Sequence, residues 1–155
     1  MHKITLTQRE ISYGARNGVD RVMQTLEDGH GWTSNYNGNA KWDDSISGSL
    51  GELAAAKFLD KFPTGFGTRN ADDLSGWEVR TIKDRTRNLI VKLDEAKRDL
   101  NFLLILDELP DFYALGWIST QDPEFKRIIP KSLSYNRPPV YLVDKSILKG
   151  FNKNV

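Results

Sequence analysis

Three carboxylates in this 155-residue chain stand where local patterning would not place a charge, and an arginine stands beside one of them. Glu52 shares a helical stripe with Ala55, Ala56 and Leu59, at spacings of three, four and seven. A carboxylate on an apolar stripe is costly unless it is paired, protonated or bound to a metal. The alternative is an early-helix Glu at the edge of the core, favoured by the macrodipole. Asp73 and Glu78 flank a Ser75-Gly76 turn. In the run Trp77 to Ile82, period-two alternation puts Glu78 and Arg80 on one face and Trp77, Val79 and Thr81 on the other. Alone, a Glu-x-Arg triplet reads as a surface ion pair. Two or three carboxylates meeting at one point would instead bind a hard cation, Mg²⁺ or Mn²⁺, in an oxygen shell. Such an ion activates water and neutralises phosphate charge, and a neighbouring cation stabilises the transition state.

Composition narrows the chemistry to these groups. Cysteine is absent and only two histidines occur, His2 and His30. Disulfides, thiolate nucleophiles and Cys- or His-rich metal sites are therefore excluded. No Walker A loop and no Gly-x-Ser-x-Gly elbow occurs, so no nucleotide cofactor is expected. Apolar residues make up 39% and charged residues 28%, the balance of a soluble globular chain. No run approaches the length of a membrane span, and the first ten residues lack the apolar segment of a secretory signal. The length predicts a single domain over 1–155, with an N-terminal helix and long loop over 1–45 and the core over 46–145. A net charge of +1 means that any nucleic-acid surface must be locally basic.

The elements that must position these residues follow from periodicity. A Thr7/Glu10 capping box opens a helix over Thr7 to about Asp28, weakened by Gly14 and Gly18. Residues 29–45 read as a long loop whose Trp32, Tyr36 and Trp42 either stack on bases or cover the core edge. A second helix is predicted from Ile46 to Lys61, capped by Asp44 or Ser45. Strands are predicted at Trp77–Ile82, Leu89–Leu93, Phe102–Leu106, Phe112–Ile118 and Val140–Val143, with a turn over Asp107–Asp111. Asp122 and Pro123 open a short helix. The order is that of an α+β fold with a mixed central sheet, not a βαβ alternation.

Two groups of basic residues surround the acidic positions. If Trp77–Ile82 and Leu89–Leu93 form a hairpin, Lys92 shares the face of Glu78 and Arg80, and Lys83 points away. Lys92 is then either an assisting cation or an ordinary solvated strand lysine. Arg80, Lys83, Arg85 and Arg87 against Asp84 give residues 80–87 a local charge of +3, suited to a phosphate backbone or simply a polar hairpin tip.

Read together, GSLGELAAAKFL, ADDLSGWEVRTIK, LIVKL, FLLIL, YALGWI and PPVYLV resemble the PD-(D/E)xK nuclease superfamily over about residues 46–145. The pattern is most similar to a group of small phage-encoded proteins. These share a Gly-x-x-Gly-Glu-x-Ala-x-x-Lys helix, an Asp-then-Val-Arg-Thr strand, a Gly-Trp-Ile strand and a Pro-x-x-Tyr-x-Val-Pro-like ending. Asp144 stands where the group has its last Pro. The resemblance implies a restriction-endonuclease-like fold with mixed sheet and flanking helices, and a Mg²⁺- or Mn²⁺-dependent nuclease acting on DNA in a bacterial host cytoplasm. Glu52, Asp73 and Glu78 become metal ligands, with the Val79 carbonyl near the ion. Arg80 and Lys92 become the positive charges of the site, and Lys83, Arg85 and Arg87 contact nucleic acid. The superfamily motif ends in Lys where this chain has Arg80, which clamps phosphate but cannot act as a base. Two other readings stand beside it: a nuclease-fold module that binds nucleic acid or a host protein without cutting, and a sheet protein whose Glu78–Arg80 pair is structural.

Overall fold

In the computed structural model the described residues are 1–28, 38–63 and 72–151. The chain runs β1 (His2–Thr5), α1 (Gln8–Glu27), α2 (Gly38–Leu59), β2 (Trp77–Ile82), β3 (Leu89–Lys92), β4 (Asn101–Glu108), β5 (Asp111–Ser119), α3 (Pro123–Lys126) and β6 (Val140–Val143). Short 3₁₀ turns occupy Glu95–Lys97 and Lys145–Ile147. The central sheet has the order β1-β5-β4-β2, and β3 and β6 form a separate antiparallel pair. β2 runs parallel to β4, whereas β1–β5 and β4–β5 are antiparallel, so the α+β architecture has a mixed sheet. No helix among the described residues is long and apolar enough to cross a membrane.

β4 explains the layering. It is buried along Phe102–Leu106, and its alternate residues face two different cores. Leu103 and Ile105 pack with Leu50, Ala54, Ala55 and Ala56 of α2 and Val79 of β2. Phe102, Leu104 and Leu106 pack with Ile82 and with Leu89, Val91 and Val143 of the β3–β6 pair. Helices therefore cover one face of the sheet and the small sheet covers the other.

The capping box at α1 forms as expected: Glu10 N–H donates to Thr7 Oγ1 at 3.3 Å and Thr7 N–H donates to Glu10 Oε2 at 2.7 Å. Gly18, which lowers helix propensity, has a packing reason. A Cβ there would lie 2.6 Å from Ile46 Cα, so the two helix backbones touch at that point. Asp122 caps α3, accepting from Glu124 N–H at 2.9 Å, with Pro123 at the first helical position.

Three expectations are corrected. α2 begins at Gly38, eight residues before Ile46, so Asp44 and Ser45 are helical rather than capping, and Trp42 lies on a helix. Contact with α1 through Gly18 and Ser45 extends the helix across a polar stretch that propensity reads as loop. Trp32 and Tyr36 lie outside the described residues. The hairpin of β2 with β3 does not form: Trp77–Ile82 pairs with Asn101–Leu106, and Leu89–Lys92 pairs with Val140–Val143. The apolar run of β4, buried on both faces, takes the central position beside β2. β1 is an element that the sequence reading did not include.

Candidate functional site

β2 is an edge strand, and the acidic residues gather around its first half. The Ser75-Gly76 turn holds Leu74 against Trp77 through reciprocal backbone bonds of 3.1 and 2.7 Å, with Gly76 at φ +75°. That turn folds Asp73 back along the outer edge of β2. There its Oδ2 accepts the Val79 N–H at 2.8 Å, a bond that no neighbouring strand supplies. Glu78 and Arg80 point to the β3–β6 side, where the Arg80 guanidinium lies 5.3 Å from the centre of the Phe102 ring. Val79 points to the α2 side. Gly51 lets α2 approach β2 closely, since a Cβ there would lie 1.9 Å from Thr81 Oγ1. The next residue, Glu52, is thereby brought over the same strand.

Each carboxylate has a distinct partner. Glu52, 6% exposed, is held by Arg21 of α1 in a bidentate pair of 2.7 and 2.5 Å. Arg80 Nη1 donates to Glu78 Oε2 at 3.3 Å and to the Val79 carbonyl at 3.2 Å. Its Nη2 donates to Glu95 Oε1 at 2.6 Å. Arg98 pairs with Asp72 and lies 3.9 Å from Glu78 Oε1. Arg21, Glu95 and Arg98 have no motif signal, because each is brought in by tertiary packing rather than by spacing along the chain, whereas Asp72 arrives beside Asp73 on the same turn, accepting the Gly76 N–H at 3.2 Å.

The electrostatics single out Asp73. Burial, and next the charge of Glu52, push its carboxyl up to about 7, with Glu78 adding to the shift and the Val79 bond and Arg80 opposing it. Glu78 is also raised, chiefly by burial, against the pull of Arg80. Burial works against the Arg80 charge, but Glu95, Glu78 and Asp73 outweigh it and raise its pKa. Asp73 thus feels the charge of both Glu52 and Glu78, from opposite sides of the β2 edge.

The donor set, all carboxylate and carbonyl oxygen, suits a hard cation. Among the described residues, however, no group of three or more His, Cys, Asp or Glu is arranged to hold a metal ion. Glu52 and Glu78 lie on opposite faces of the strand, each turned to an arginine.

The basic residues divide. Lys92 is placed near Arg80 by Glu95 rather than by a hairpin: its N–H donates to Glu95 Oε2 at 2.9 Å, and its Nζ lies 4.0 Å from Glu95 Oε1. Arg85 turns away, bonded twice to Glu108 at 3.0 and 2.9 Å and set over the Tyr113 ring. Lys83 and Arg87 line a cavity of about 300 Å³ with Asp44, Ser47 and Asp84, and Lys83 lies 3.9 Å from Asp43. In comparisons with known proteins, no family model, no curated protein and no solved structure matches the chain.

Proposed function

We propose that the protein is a metal-dependent phosphodiesterase acting on DNA, on a restriction-endonuclease-like fold, with Glu52, Asp73 and Glu78 as the ligands of Mg²⁺ or Mn²⁺. The supporting observation is Asp73, pinned to the edge of β2 by the Val79 N–H and raised first by its burial and then by the charges of Glu52 and Glu78. Crowded carboxylates of this kind are relieved by a proton or by a hard cation. When bound, the ion supplies positive charge and Lewis acidity at a phosphate. Arg80 keeps its proton, and its role is to hold a phosphate oxygen and stabilise the charge that develops there. Lys92 adds a second, more exposed charge beside Glu95. Ion binding on this reading requires Glu52 or Glu78 to leave its arginine.

The arginine pairs themselves favour a second reading, a module that binds nucleic acid without cutting it. Arg21 and Arg80 already compensate Glu52 and Glu78 where a cation would do so. Incubation with single-stranded, duplex and branched DNA, in Mn²⁺ and in EDTA, separates the two. Cleavage that needs Mn²⁺ and disappears in Glu78→Gln supports the enzyme. Retention of DNA with no cleavage of any form supports the module.

A further inference from the structure

Between Glu124 and Asp144 the chain carries four basic residues, Lys126, Arg127, Lys131 and Arg137, and no acidic one. The same stretch holds three exposed large apolar side chains: Ile129 is 84% exposed, Leu133 49%, and Tyr135 is fully exposed. Tyr135 is the most exposed of the large apolar side chains among the described residues.

The backbone fixes where this loop stands. Lys131 and Val140 exchange both backbone bonds, at 2.9 and 3.0 Å, and close residues 132–139 into a loop at the end of β6. On its other edge Val140 is the register partner of Lys92. Lys92, Val140 and Lys131 therefore form one row across three antiparallel segments. Directly opposed residues project from the same face, so the two lysines flank Val140 with Cα atoms about 10 Å apart. Lys92 in turn lies 4.0 Å from the carboxylate that Arg80 holds. A basic row thus leads from Arg80 through Lys92 and Lys131 to the loop bearing Tyr135.

We infer that residues 131–140 form an arm that binds single-stranded DNA, with Tyr135 stacking on a base and Lys131 and Lys92 contacting the backbone on the way to Arg80. The choice of a nucleic acid over an acidic protein rests on the phosphodiesterase reading of the neighbouring carboxylates. The choice of a single strand rests on Tyr135, because a bare ring stacks on unpaired bases, which a duplex keeps inside. Charge complementarity supplies the rest: residues 125–143 carry four basic side chains and no acidic one, with Arg127 held by Glu124 at 3.0 Å where the stretch begins, while the whole chain is nearly neutral.

Fluorescence anisotropy with a labelled oligothymidylate, in EDTA so that nothing is cut, tests the arm. Tyr135→Ala is expected to weaken binding roughly tenfold with an unchanged salt slope, and Tyr135→Phe to retain it. Lys131→Ala is expected to flatten the slope of log K against log salt by about 0.7. Tyr135 contacts little else, so its loss leaves folding intact. Wild-type affinity in both Tyr135→Ala and Lys131→Ala overturns the inference. So does equal affinity for a duplex of the same sequence, displacement of the oligonucleotide by polyglutamate at equal charge, or no binding by the wild type. Calorimetry with Mn²⁺ on the same proteins keeps the two proposals apart. Mn²⁺ binding without DNA binding removes the arm alone, and arm-dependent DNA binding without Mn²⁺ binding removes the phosphodiesterase alone.

Discussion

Arg80 Nη2 donates to Glu95 Oε1 at 2.6 Å, although fifteen residues and the whole of β3 separate the two. Through this bond the Glu78-x-Arg80 strand motif gains a further carboxylate, and Lys92, anchored on the same side chain, gains its position. If Arg80 holds phosphate, Arg80→Ala lowers DNA cleavage by about 10²–10³-fold, the scale of losing a preorganised charge. Lys92 is 68% exposed, so Lys92→Ala costs about tenfold or less, and Lys83→Ala is silent. Initial rates of the three variants check the order.

Glu52 is buried with Arg21 as its bidentate partner. Arg21→Ala leaves a carboxylate unpaired against apolar packing and destabilises the fold by about 2–4 kcal/mol. Glu52→Gln, which removes the charge and keeps the shape, costs less. Urea midpoints at unchanged slope measure both.

Gly51 and Gly48 lie one turn apart on α2 and predict opposite outcomes. A Cβ at 51 collides with Oγ1, Cγ2 and Cβ of Thr81, so no rotamer of Thr81 relieves it. Gly51→Ala therefore pushes α2 off β2 and costs about 1–3 kcal/mol. At Gly48 a Cβ meets nothing within 4 Å. Gly48→Ala stabilises by about 0.5–1 kcal/mol through helix propensity. Thermal melts of the two proteins decide it.

Asp73, raised from 3.8 to about 7, gives a pH dependence of defined sign. The folded state keeps the proton that the unfolded state releases near pH 4. Its contribution is thus fully present below the unfolded pKa and is lost as pH rises from about 4 through 7. Asp73→Asn removes this loss and gains on the order of 1–3 kcal/mol at pH 8 over pH 4, relative to wild type. Chemical denaturation at the two pH values measures the difference.

Local chemistry was the legible part of this chain. The Thr7 cap, the Asp122-Pro123 start, the Ser75-Gly76 turn and the strand faces of β2 are fixed by residues within a few positions of one another. The same turn folds Asp73 back to the Val79 N–H. Strand partners were not legible. LIVK reads as the natural hairpin mate of WEVRTI, and only the doubly buried β4 run, competing for the same edge, displaces it. Arg21, Glu95 and Arg98 were invisible for the same reason: each reaches the site across tertiary contacts that carry no periodic signature. The early start of α2 depends on α1 packing against Ser45 and Ile46, which propensity does not contain.

Titration calorimetry with Mn²⁺ at pH 8, on wild type and Asp73→Asn, bears most directly on the carboxylate site. The account predicts one ion per chain for the wild type, binding that weakens as pH falls below 7 because the ion must displace the Asp73 proton, and loss of that binding in Asp73→Asn. Equal heats from both proteins, or binding indifferent to pH between 5 and 8, would contradict it.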